Sequence, residues 1–265
     1  MGYSEDEFIM LVIFSAIGFF GWKRYFLKLR DHVHTVELSK NILTFLPFAS
    51  AVFLFLILRF FASFDVKTSF DYLVFYIIMG AAWVGGLHNT LPWFGARFQE
   101  DVLERNNRAA LWAFGGVLLA LTACFAGGNI GDGPGWWIVI FSGLLSTGSL
   151  FLLMLISALL TSVNDWITID RDEASGIRYS GWIFATGLIL GRASAGNWVS
   201  AEQTWVDFMR ISMPLVYLLV VFLASNFFFK PTPARPRQNK IFFGIIPAGI
   251  YLMIAGTYIF RLGRW

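Results

Sequence analysis

Long apolar runs alternate with short polar stretches along the whole chain. A bilayer's hydrocarbon core is about 30 Å thick, and a helix rising about 1.5 Å per residue needs about 20 mostly apolar residues to cross it. On that measure the pattern predicts eight spans, over residues 8–22, 42–58, 70–93, 109–126, 136–160, 177–195, 211–228 and 241–260. The first is short and could cross or only enter the interface. Ser4 followed by Glu5, Asp6 and Glu7 reads as an acidic helix start, and Lys23 and Arg24 follow the run. No basic stretch precedes it, so it is not expected to be a cleaved signal peptide. Pro47 falls inside the second span. Residues 127–135 form a glycine-rich turn, and residues 231–237 form a stiff, basic, proline-rich linker.

The fold class expected is therefore all-α: a polytopic membrane helix bundle of about eight spans. Its expected organisation is an N-terminal two-helix segment (1–69), a repeated four-helix unit (70–198) and a C-terminal helix pair (199–265).

The repeat rests on an offset of 65 residues. Ala109 pairs with Ala174, Ala110 with Ser175, Phe114 with Tyr179, Gly116 with Gly181, Ala120 with Ala185 and Gly131 with Gly196. Asn106 and Asn107 precede one copy, Asp170 and Asp172 the other; such side chains accept hydrogen bonds from free N–H groups at helix starts. Spans 4 and 6 then start on the same side, run parallel and can face one another.

Small residues mark the expected contact. Span 4 carries Ala109, Ala113, Gly116, Ala120, Ala123 and Gly127, which keeps one helical face small from end to end. Span 6 carries Gly181, Gly187 and Gly191, and span 3 carries Ala81, Ala82, Gly85 and Gly86. Lipid offers little hydrophobic drive for helix association, so close backbone packing supplies the attraction. Two readings stay open. The stripe closes an internal bundle, or it faces another protomer or a narrow pore.

Composition fits this picture. Hydrophobic residues are 57% and charged residues 14% of the chain, against roughly 45–50% and 25% in soluble domains. Disordered chains and disulfide scaffolds are excluded. Basic residues gather after the odd-numbered spans: Lys23, Arg24, Lys28, Arg30 and Lys40; Arg97, Arg105 and Arg108; Arg171 and Arg178; Lys230, Arg235, Arg237 and Lys240. The opposite loops hold only Arg59, Lys67, Arg210, Arg261 and Arg264. By the positive-inside rule both termini are expected outside.

The stretch Glu104-Arg105-Asn106-Asn107-Arg108-Ala109-Ala110, followed by Ala113-Phe114-Gly115-Gly116-Val117-Leu118-Leu119, resembles the first motif of the YjfL-like bacterial inner-membrane proteins, a family of unknown function. A second copy reads Asp172-Glu173-Ala174-Ser175-Gly176, then Gly181 and Gly187. It departs from the pattern, with Asp172 in place of Asn and Ser175 in place of the second Ala. The resemblance covers roughly residues 70–198. It implies a bacterial inner membrane and no established reaction.

Candidate chemistry is sparse. His32 and His34 lie in the first basic loop and His88 near the inner end of span 3, so no histidine pair faces across mid-membrane as a b-type haem requires. His32 and His34 lack a third ligand for a metal. No Asp or Glu falls in midspan, which argues against proton- or sodium-driven transport. Arg192 is the one ionisable residue expected well inside a span. It either reaches to headgroups or serves a partner charge or anion path. Cys124 reads as a packing residue, and no nucleophile–base arrangement or phosphate-binding loop is spelled.

The function expected is therefore non-catalytic, with no cofactor: a structural or accessory subunit that assembles or anchors a membrane complex. The alternative is a passive ion or small-solute channel or transporter. Expected partners are the lipid bilayer and other membrane subunits or copies of the chain, with no nucleic acid. Multi-pass insertion in the bacterial inner membrane is the expected localisation.

Overall fold

The computed structural model describes residues 3–32, 34–94, 96–232 and 238–263. Val33 and most of the 231–237 linker, with Arg235 and Arg237, lie outside the described residues, as does Arg264. What is described is an all-α bundle. Helix α1 spans Glu5–Asp31 and α2 Glu37–Phe61; a short α3 (Phe64–Thr68) leads into α4 (Phe70–Leu87), which tightens into a 3₁₀ segment over His88–Phe94. Then come α5 (Phe98–Arg105), α6 (Arg108–Gly127), α7 (Trp136–Leu160), α8 (Val163–Thr168) and α9 (Glu173–Ala193). The chain ends with α10 (Ala201–Ser212), α11 (Pro214–Phe228), a π turn (Ile241–Ile245) and α12 (Ile246–Leu262).

Seven of these segments are long and apolar enough to cross a membrane, so the chain is a multi-pass membrane protein by length and composition. The expected sixth span, α9, is not among the seven. It carries Glu173, Arg178 and Arg192, but most of its side chains are buried against neighbouring helices. A helix wrapped by protein need not dissolve in lipid, so its sequence is free to be more polar. The first span is no interfacial stub: α1 runs for 27 residues from a capping box in which Ser4 and Glu7 satisfy each other's backbone N–H. The seventh is also longer than expected, because α10 continues into α11 from Ala201 to Phe228.

The 65-residue register reaches beyond the two hairpins read from the sequence. Every second long helix, counted from α1, begins at Glu5, Phe70, Trp136 and Ala201, at spacings of 65, 66 and 65 residues. Ser4, Ser69 and Ser200 each accept from the backbone N–H three residues on. Three of the return helices are capped in a similar way. Asn107 accepts from the N–H of Ala109 and Ala110, Asp172 from that of Ser175, and Asn239 from those of Ile241 and Phe242. Asn106 and Arg171, 65 residues apart, take the left-handed conformation with φ of 52° and 54°. The architecture is four successive helical hairpins.

The return helices α2, α6, α9 and α12 pack in chain order, each against the next. On the opposite flank α1 packs on α4, where Gly18 lies over Ala82 and the Trp22 indole donates to the Ala81 carbonyl at 2.9 Å. The small residues Ala81, Ala82 and Gly85 of span 3 thus meet α1. Long apolar side chains such as Phe45, Phe60, Leu159, Tyr217 and Phe260 stay exposed on the outer surface, as expected where lipid is the solvent.

Candidate functional site

The centre of the molecule is the parallel pair α6–α9. A Cβ built on Gly176 would stand 2.6 Å from the Ala109 Cα, one on Gly116 2.6 Å from the Ser180 Cα, and one on Gly187 2.6 Å from the Ala120 Cα. At the far end Gly127 and Gly191 meet backbone to backbone, and Gly191 also rests on Ala123. So the expected residues Ala109, Gly116, Ala120, Ala123, Gly127, Gly187 and Gly191 line one contact inside this chain, and Ala113 is buried on α6. Gly181 departs from the group. It faces Ala248 of α12 and opens the next seam along the row.

At the Gly127–Gly191 end of the pair the two glycine turns interlock. Gly196 N–H donates to the Ile130 carbonyl, Trp198 N–H to that of Asp132, and Asp132 N–H to the Asn197 side chain, each at 2.8 Å. Gly131, with φ of +112°, has no room for a side chain against Gly196. Positive φ and close approach together require glycine there.

The opposite end of α9 holds what sequence reasoning placed elsewhere. Arg178, assigned above to a basic loop, lies in the second turn of α9 and is 0% exposed. Its Nε donates to Asn226 Oδ1 at 3.1 Å and its Nη1 to the Phe243 carbonyl at 2.6 Å. Its Nη2 donates to Ser175 Oγ at 3.1 Å and to the Phe229 carbonyl at 3.3 Å. Ser175 Oγ donates in turn to Asp172 Oδ2 at 2.6 Å, and Asp172 Oδ1 accepts from the Gln238 N–H at 3.2 Å. Buried charge is costly unless it is hydrogen-bonded. Here the guanidinium fork makes four hydrogen bonds: one on Ser175 of α9 itself, two at the C-terminal end of α11 and one on the π turn that precedes α12. A helix C-terminus is a natural place for a cation, because its last carbonyls carry partial negative charge.

The π turn explains one acceptor. Pro247 has no N–H, so it cannot serve the carbonyl four residues back, that of Phe243. Arg178 takes it. The network also accounts for the repeat's departures. Positions 107, 110 and 113 are Asn, Ala and Ala in the first copy; the equivalent 172, 175 and 178 are Asp, Ser and Arg. All three changes belong to one hydrogen-bonded chain that ties the third hairpin to the fourth. The signal was present in the sequence as three coordinated departures at helical spacing.

Arg192 is buried in the last turn of α9, within electrostatic reach of Tyr258 on α12. Cys124 is fully buried, its thiol directed at the Gly187 carbonyl. His88 is buried too, while His32 holds the Lys28 carbonyl at the end of α1. Among the described residues no three His, Cys, Asp or Glu side chains come together in a way that could hold a metal ion.

A family model described as Domain of Unknown Function (DUF350) matches residues 134–258. The match begins at the turn before α7 and ends within α12, so it covers the third and fourth hairpins and the whole Arg178 network. It starts later than the resemblance read over residues 70–198, and it takes in the last two spans, which that reading left out. No curated protein and no solved structure matches the chain.

Proposed function

We propose that this chain is a non-catalytic membrane protein that serves as a structural or accessory subunit, assembling or anchoring a larger membrane complex. The observation that carries this reading is the α6–α9 seam, closed at backbone distance from Ala109 to Gly191. Between these two helices the close approach leaves no room for solute or water. Among the described residues the one guanidinium fully withdrawn from solvent, that of Arg178, holds two hairpins together. With the YjfL-like resemblance at residues 104–119 the reading extends to a bacterial inner membrane, and with the asymmetry of basic residues to both termini outside.

A passive channel is the second reading. It is favoured by a polar cavity of about 80 Å3 at the outer end, lined by Asn129, Asp132 and Asp207 among others. Purification in mild detergent separates the two. Stoichiometric co-purifying subunits or a defined homo-oligomer without conductance support the assembly role. A ring of this chain alone that conducts ions in planar bilayers overturns it.

A further inference from the structure

A second cavity, of about 40 Å3, opens where the 3₁₀ segment and α5 meet α1. Two buried polar atoms in its lining have no hydrogen-bond partner: His88 Nε2 and Gln99 Nε2, on side chains 3% and 7% exposed. Unpaired buried polar groups are rare in folded proteins, and each asks for an explanation. His88 Nδ1 lies 3.2 Å from the Val84 carbonyl. A carbonyl only accepts, so in the neutral ring Nδ1 carries the proton and Nε2 is left as an acceptor. The ring is held in place by Trp22, stacked at 5.4 Å, and by the edge contact of Tyr25. Gln99 Nε2 can only donate.

The charged rim completes the site. Lys28 is held by Glu100 at 3.0 Å, while Arg24 and Arg97 also line the cavity and reach solvent. The rim therefore carries an excess of positive charge. Its depth is set by α4: His88 follows 18 helical residues, about 27 Å of rise from Ser69, which puts it at the headgroup boundary of the bilayer.

We propose that this cleft binds a hydroxyl-bearing phosphate group. The anionic oxygens meet the arginines and the Gln99 amide, and the hydroxyl donates to His88 Nε2. Two sources share that chemistry: the head of a phosphatidylglycerol-type lipid and free monoprotonated phosphate.

The full chain is reconstituted in nanodiscs of phosphatidylcholine with and without phosphatidylglycerol, and retained lipid is read by native mass spectrometry. Inorganic phosphate is titrated in parallel by calorimetry in neutral detergent. Phosphatidylglycerol retained in preference to phosphatidylcholine identifies the lipid head; phosphate binding without lipid preference identifies the free ion. In either case Arg97→Gln weakens binding about fivefold, the weight of one basic residue at an anionic surface. Gln99→Leu abolishes the preference. Should Gln99→Leu fail to fold, Arg97→Gln and Arg24→Gln, both at exposed positions, carry the test. Absence of both bindings, or binding that these variants leave unchanged, overturns the proposal.

Discussion

The Tyr25 hydroxyl donates to the Leu43 carbonyl at 2.7 Å, and Leu43 is the residue whose carbonyl Pro47 leaves without a helical donor. A proline inside a helix removes one N–H from the ladder, and inside a membrane water does not replace it. Here a neighbouring helix supplies the missing proton. Tyr25→Phe should therefore cost about 1 kcal/mol in reversible detergent-denaturant unfolding. In a Pro47→Ala background, which restores the helix's own donor, the same substitution should cost clearly less. Equal costs in both backgrounds would show that the hydroxyl is not serving that carbonyl.

Arg178 repeats the device with a charge, on the Phe243 carbonyl freed by Pro247. Arg178→Leu leaves Asn226, Phe229 and Phe243 without their donor and should destabilise by roughly 3 kcal/mol or more. Thermal unfolding of the purified variant, or its failure to accumulate, reads this. Arg178→Lys should fall between, because an ammonium cannot reach four acceptors laid out for a planar fork. A lysine variant as stable as the parent would contradict the network.

Glycines along the seam should behave unlike glycines on the surface. Gly127→Ala drives a methyl into the Gly191 backbone and should cost roughly 1–3 kcal/mol. Gly249→Ala, on an exposed face of α12 with nothing within 4 Å of the new methyl, should be neutral or stabilise by up to about 1 kcal/mol through helix propensity. Melting temperatures of the two variants side by side check the contrast.

Topology follows from the proposed orientation. A reporter active only in the cytoplasm should be silent when fused after Leu262 and active when inserted between α1 and α2. The reverse pattern would invert the bundle.

Apolar run length made the helices legible, and the edges of span 5, Trp136 and Leu160, coincide with α7. The α6–α9 partnership was legible too, since the steps between Ala109, Gly116, Ala120 and Gly127 keep one face small. Three things were not. Run length counts lipid-facing apolarity, so it started span 6 at Ile177 and counted Arg178, at that edge, with the basic loop, although protein around α9 lets the helix stay polar. The fourfold register was hidden because capping serines such as Ser4 and Ser200 are single residues among long apolar helices. The unpaired atoms of His88 and Gln99 depend on tertiary packing, which no local pattern records.

The most direct test of the central claim asks whether α6 and α9 close on each other within one chain. Asp132 and Asn197, both exposed just beyond the Gly127–Gly191 end of this pair, are changed to cysteine in a Cys124→Ser background and treated with a short thiol cross-linker. The account predicts a cross-link when both cysteines are on one chain, and none when Asp132→Cys and Asn197→Cys chains carrying different tags are co-expressed. Efficient linkage between the differently tagged chains, with none inside a single chain, would contradict it.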